Sequence, residues 1–299
     1  MSNITCILDA CSVINIIHID EDDFLQKKIE RLDVKINELV FKEINSNVYR
    51  KLNLIDKRKS PDSSTTKDLI KKIEVQLTYF RSKIKLNEDL FKDFGDDYFE
   101  RIGEIIGYVK PNGELHSTAL ALYLSRIESK KVFFYTDDYP AKNEFSNFFE
   151  LQQIGQIKDS VDLLVLLFWL DDKFSERQLL NLLSKLFSEY AIEVSFLEKE
   201  LKSYLENNVD ATFIRNNPGV RENLRGLIDK LSNHDFSKII EHREFFELKK
   251  QKCKIIYDII NKYSTVFNLQ NTSTDILLKI KDLEEKLKTK KIYKVLDLC

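Results

Sequence analysis

The chain has 299 residues, enough for one large domain or two ordinary ones, and its 43% apolar and 32% charged content is that of a folded protein rather than a disordered one. Its 47 basic and 49 acidic side chains nearly cancel, which excludes a molecule-wide positive field as the basis of nucleic-acid binding and leaves only local basic surfaces. No apolar run reaches the roughly 18 to 20 residues of a membrane span, and the N-terminus lacks the pattern of a secretory signal, so no membrane partner and a cytoplasmic location are expected.

Cys6, Cys11, Cys253 and Cys299 form no CxxC pair, which argues against a disulfide framework and against a zinc site. Seven glycines and four prolines are few for this length, and that scarcity favours long helices with few tight turns.

Taken in chain order, Ile4–Leu8 is a short apolar run that stops at Asp9, and a second apolar segment follows over 13–19. This pattern predicts a strand handing over to a helix. A second strand is predicted over 34–36, leading into a helix at 38–44. Residues 50–105 read as a helical insertion, interrupted at 59–66 by a cluster of turn-forming residues.

At Asn112-Gly113-Glu114 a turn opens a helix whose Ala119, Ala121, Leu122 and Leu124 suit close packing on a sheet. Lys131–Tyr135 reads as a buried strand, and it too stops at acids, Asp137 and Asp138. Alternating strands and helices predict an α/β unit with a mainly parallel sheet.

Beyond about residue 160 the period is helical. Ser160–Leu170 predicts a core helix around Trp169. Ser175 and Gln178 have capping-box spacing ahead of a helix over 179–186, and a further helix is expected over 196–205. The tail holds more helices, split at 216–219. In its last part Leu277, Ile280, Leu283 and Leu287 form an apolar stripe that suggests packing or a homodimer. The domain division expected is 1–172 for the α/β domain and 173–299 for an all-helical C-terminal region.

The acids at strand ends carry the chemistry. Ligands of open parallel sheets bind beyond the carboxyl ends of the strands, where Asp9 and the Asp137-Asp138 pair fall. Glu43 and Glu114, each on a helix beside a strand, are placed to join them. Carboxylates crowded in one cleft stay ionised most easily around a hard cation with oxygen ligands, and magnesium or manganese is the natural occupant. Such an ion lowers the pKa of a bound water and stabilises charge on a phosphodiester under attack. Each residue also has a plainer reading: Asp9 and Asp137 as helix caps, Glu114 as a first-turn acid favoured by the helix dipole, Glu43 as a solvated charge.

The segment Ile7-Leu8-Asp9-Ala10-Cys11-Ser12-Val13-Ile14 resembles the opening strand and turn of PIN domains, where Asp precedes two small residues and an apolar helix. Val40-Phe41-Lys42-Glu43-Ile44 resembles their second motif, Gly113-Glu114 with Ala119 the third, and Tyr135-Thr136-Asp137-Asp138 with Ala141 the fourth. The likeness is to a branch with a Gly-Glu helix and a strand ending in Asp-Asp, many of whose members are suspected toxin-antitoxin or defence components. In that branch a segment like Ile154-Gly155-Gln156-Ile157, an apolar helix and two short helices follow, so the resemblance spans about 1–206 apart from the insertion.

The resemblance implies a PIN-like nuclease domain and a Mg²⁺-dependent (or Mn²⁺-dependent) ribonuclease. It makes Asp9, Glu43, Glu114 and Asp138 catalytic metal ligands, with Asp137 a candidate fifth. It also implies RNA as a more natural partner than DNA, with an antitoxin or defence protein as a further partner. Two rivals stand beside it: a PIN-like binding module without catalysis, and a structure-specific DNA nuclease. Cys11 stands where the family usually has Asn, Ser or Thr, and the segment between Glu43 and Glu114 is long.

His116 lies two residues from Glu114, on a different helical face, and is expected to be packed or solvated. His18, His234 and His242 have no spacing of a ligand set. No Gly-x-Ser-x-Gly elbow and no phosphate-binding glycine loop occur. Phosphate contacts are sought at Lys57, Arg58 and Lys59 and at the 249–254 run, and base stacking at Tyr49, Tyr79 or Phe80.

Overall fold

The computed structural model of the chain describes residues 4–49, 64–108, 110–208, 215–269, 276–292 and 294. The chain divides into two compact units, Met1–Leu182 with Lys294–Cys299, and Leu183–Tyr293. No helix among the described residues is long and apolar enough to cross a membrane.

The first unit is built on five parallel strands: β1 (Ile4–Leu8), β2 (Asp33–Asn37), β3 (Ile84–Lys85), β4 (Lys131–Tyr135) and β5 (Gly155–Lys158), in the order β3-β2-β1-β4-β5. β1 pairs with β2 through Cys6 and Val34 and with β4 from Ile4–Lys131 to Leu8–Tyr135. Parallel strands need crossovers, and these are the helices α1 (Ala10–Ile19) and α2 (Phe24–Ile29), α3 (Glu38–Asn47) and α4 (Ser64–Arg81), then α5 (Asn87–Phe94), α6 (Tyr98–Ile106) and α7 (Gly113–Arg126). Helix α8 (Tyr139–Leu151) joins β4 to β5, and α9 (Ser160–Leu170) leaves β5.

Both faces of the sheet are covered, which is why β1 and β4 are apolar at successive positions rather than alternately. Ile7, Val132 and Phe134 meet one core with Phe99, Leu120, Leu124 and Phe149 from the helices. Cys6, Leu8 and Tyr135, of opposite parity along the strands, are buried on the other face. The small residues predicted to let α7 approach the sheet are fully buried, Ala119 and Ala121 at 0% exposure, and α7 packs on β1, β2 and β4.

Several expectations are corrected. The stretch read as a helical insertion is part of the α/β unit: it adds β3 to the sheet edge beside β2, and Leu90, Tyr98, Phe99 and Ile102 enter the core. A two-residue strand shows no period, so the sequence concealed it. The part of that stretch holding Lys57, Arg58, Lys59 and the turn-rich start of 59–66 lies outside the described residues. Phe80 is buried at 1% exposure, so it offers no face to a base.

The core side of α9 is Phe168 with Leu163, Leu164 and Leu167, whereas Trp169 is 46% exposed. The helices expected at 179–186 and 196–205 are one, α10 (Glu176–Asn208, 33 residues), because no Gly or Pro separates them. Its predicted start holds: Gln178 N donates to Ser175 Oγ at 3.3 Å and Ser175 N to Gln178 Oε1 at 2.8 Å.

The unit boundary falls inside α10. The second unit continues with α11 (Pro218–Ser232), α12 (Ile239–Leu248), α13 (Lys254–Lys262), a 3-10 turn at Ser264–Leu269, and α14 (Ile276–Lys288). Leu277, Ile280 and Leu287 of α14 are at most 2% exposed and Leu283 is partly buried, so the stripe expected to serve packing or a homodimer is used for packing within its own chain.

Candidate metal centre

The register of β1 against β4 sets the site. Leu8 is opposite Tyr135, and Asp9 N donates to the Tyr135 carbonyl at 3.0 Å, so Asp9 and residues 136–138 leave the sheet side by side. The strand order reverses here: from β1 the chain builds outward to β2 and β3, then returns to place β4 and β5 on the other side. A topological switch point of this kind leaves a crevice at the carboxyl ends of the two central strands.

Asp9 is 5% exposed, and its Oδ2 is held by two donors, Thr136 Oγ1 at 2.9 Å and Cys11 Sγ at 3.3 Å. Thr136 Oγ1 in turn accepts from Asp138 N at 3.1 Å, and Cys11 Sγ accepts from Asp137 N at 3.1 Å. Cys11 therefore supplies the hydrogen bond expected of Asn, Ser or Thr at its position. Burial, then the nearby Asp9 and Asp137 charges, push its thiol well above the ordinary range, which keeps the proton it donates.

Glu43 and Glu114 come from α3 and the first turn of α7, and Gly113 is what allows the two helices to meet. A methyl group on Gly113 would stand 3.0 Å from Val40 Cγ2, 3.3 Å from Glu43 Oε2 and 3.9 Å from Asp9 Oδ1. Asn112 starts α7 by accepting from Leu115 N at 3.2 Å, and its amide donates to Tyr108 Oη at 2.7 Å. Tyr108 Oη lies 3.5 Å from Glu114 Oε2.

The charges act on one another. Burial raises Asp9 above the usual carboxylate range against the pull of the Ala10 amide, Thr136 and Cys11. Burial together with Asp9 and Asp138 raises Glu43 to about 7, and burial with Asp9, Asp138 and Glu43 raises Glu114 to about 8. Glu43 sits at the open side of the cleft with much of its side chain in water, which screens part of this effect.

The structure thus gathers Asp9, Glu43, Glu114 and Asp138, and sends Asp137 elsewhere. Asp137 is 4% exposed; Asn15 Nδ2 at 2.8 Å and Ser160 Oγ at 2.6 Å donate to its Oδ2, and Ser160 N at 2.8 Å to its Oδ1. Its carboxylate ties α1 and the start of α9 to the end of β4. Neither Asp9 nor Asp138, though both hold N-cap positions, makes a side-chain capping bond. Asn37, Asn112 and Asp159 make such bonds at α3, α7 and α9.

His116 stacks on Phe99 with ring centroids 3.9 Å apart, as a packed histidine. His18 meets the Val48 carbonyl at 3.0 Å and His242 meets Asn223 Oδ1 at 3.2 Å. Asn15, Ser160 and Tyr108 had no signal in the sequence, because their partners are set by the fold.

The donor chemistry, four carboxylates and no soft ligand, fits a hard divalent cation. As the side chains stand, no three His, Cys, Asp or Glu residues among the described residues form a group able to hold a metal ion. Fold and site together define a parallel α/β protein with an acidic cleft at the switch point of its sheet. No protein-family model matches the chain, and no curated protein or solved structure matches it.

Proposed function

We propose that the chain is a PIN-like, Mg²⁺- or Mn²⁺-dependent endoribonuclease. The observation that carries this reading is the meeting of four carboxylates, from four separate segments, at the crevice between β1 and β4, where Asp9 and Asp138 raise the pKa of both glutamates. Asp9, Glu43, Glu114 and Asp138 are the residues that would hold the ion. When bound, a divalent ion supplies neutralising charge and a water of lowered pKa.

The chain's own groups do the rest. Thr136 and Cys11 fix the orientation of Asp9 Oδ2. Asp137, clamped by Asn15 and Ser160, holds the β4 end that carries Asp138. Tyr108 places its hydroxyl beside Glu114 at the cleft. No side chain is needed as a covalent nucleophile. The preference for RNA and the toxin or phage-defence setting, with an antitoxin or defence protein as partner, rest on the resemblance of the motifs at Asp9, Glu43, Glu114 and Asp138.

That no three His, Cys, Asp or Glu side chains among the described residues are grouped to hold an ion favours the non-catalytic binding module as the second reading. Cleavage of labelled single-stranded RNA and DNA with Mg²⁺ or Mn²⁺, beside an Asp9→Asn, Asp138→Asn double variant, decides between them. We expect metal-dependent cutting of RNA, reduced at least about 100-fold in the variant, the scale lost when electrostatic support of a transition state is removed. A folded protein that neither binds the ion nor cuts either substrate would leave the binding module standing, and preferential DNA cutting would move the assignment to a DNA nuclease.

A further inference from the structure

A basic cavity lies in the helical unit, remote in sequence from every residue of the acidic cleft. Helix α12 ends at Leu248, and a tight turn leads into α13: Lys252 N and Cys253 N both donate to the Lys249 carbonyl at 2.9 Å. A cavity of about 410 Å³ opens between this turn and the start of α11, lined by Asn217, Val220, Leu248 and residues 249–253.

The electrostatics of this cavity have one sign. Lys249, Lys250 and Lys252 line it, and among the described residues no acid does. Lys250, Lys252 and the adjacent Lys254 are exposed and have no ion-pair partner among the described residues, while Lys249 lies over the Phe245 ring at 4.1 Å. Asn217 and Cys253 are the N-cap residues of α11 and α13. Neither makes a side-chain cap, and neither helix has an acid in its first turn.

The N-terminus of α13, with no side-chain cap and a partial positive charge, therefore borders the space that the lysines line. Burial raises the Cys253 thiol, and Lys249 and Lys252 pull it back. Leu248, 88% exposed, adds apolar surface to the lining.

We infer that this cavity binds the phosphate groups of a ligand, supplied by a nucleic-acid backbone or by a free nucleotide polyphosphate. The site uses no residue of the acidic cleft and stands independently of the nuclease reading. The test uses the full chain in EDTA, so that no cleavage intervenes, with tripolyphosphate and ATP followed by calorimetry and labelled single-stranded RNA by anisotropy. The proteins compared are the wild type, Lys250→Glu/Lys252→Glu, a control with Lys67→Glu/Lys199→Glu, and Asp9→Asn/Asp138→Asn.

The wild type and the control should bind alike, the aspartate variant should bind tripolyphosphate and ATP as the wild type does, and the Lys250/Lys252 variant should bind at least about tenfold more weakly, the effect of losing two charge-assisted contacts. Binding of tripolyphosphate and ATP without RNA assigns a small ligand; RNA binding whose salt dependence falls in the variant assigns the backbone. No binding of any probe by the folded wild type, or equal binding by the Lys250/Lys252 variant, would overturn the inference. Binding that persists without any nuclease activity would count against the nuclease reading alone.

Discussion

Glu43 and Glu114 carry the electrostatic strain of the cleft. Both are raised from an ordinary 4.5, to about 7 and about 8. A carboxyl raised in this way holds its proton more tightly in the folded chain than in the unfolded one. The stability it gives is complete below the unfolded value of 4.5 and is lost as pH rises through about 7 and about 8. In a chelating buffer the melting temperature of the wild type should therefore fall across that range relative to a Glu43→Gln/Glu114→Gln variant. Melting curves at a series of pH values check this, and parallel curves for the two proteins would refute it. Asp9, Glu114 and Asp138 are conspicuous in the sequence as acids at strand ends and in a helix's first turn, and Glu43, in mid-helix, stands out only through the resemblance of its motif; the role of Asp137 was not legible, since nothing in the dipeptide Asp137-Asp138 tells which carboxylate turns to Ser160.

At the scale of elements, that choice has a structural consequence. Asp137 accepts from a side-chain amide, a backbone amide and a hydroxyl, and so joins α1 and α9 to the end of β4. Asp137→Ala would leave these buried donors unsatisfied and cost about 2–4 kcal/mol. Chemical denaturation measures it, and a loss below about 0.5 kcal/mol, the size of an ordinary surface substitution, would show that the clamp is not used. Most element bounds follow from local pattern: β4 and α9 lie where apolar runs end at Asp137 and begin at Ser160. The misreadings also have local causes. β3 is two residues long and owes its existence to its neighbour β2, and α10 runs unbroken because no Gly or Pro interrupts 187–195.

At the scale of the whole molecule, an ion held as proposed would couple binding to folding, because the four acids come from segments that only the folded sheet brings together. An ion that binds the native state alone stabilises it by about 2.7 kcal/mol at 100 times its Kd. Mg²⁺ or Mn²⁺ should thus raise the melting temperature of the wild type and leave Asp9→Asn/Asp138→Asn unmoved; an equal rise in both would place the ion elsewhere. The sequence by itself determined the parallel α/β character of the first unit, the helical character of the second, and the acids at the strand ends, because hydrophobic period and helix-start chemistry are local properties. Only the tertiary structure decided the strand order, the incorporation of 84–106 into the α/β core, the burial of the α14 stripe, and which carboxylates share the cleft. Each of these depends on contacts between residues far apart in the chain, and those contacts exist only once the sheet has closed and its two faces have been covered.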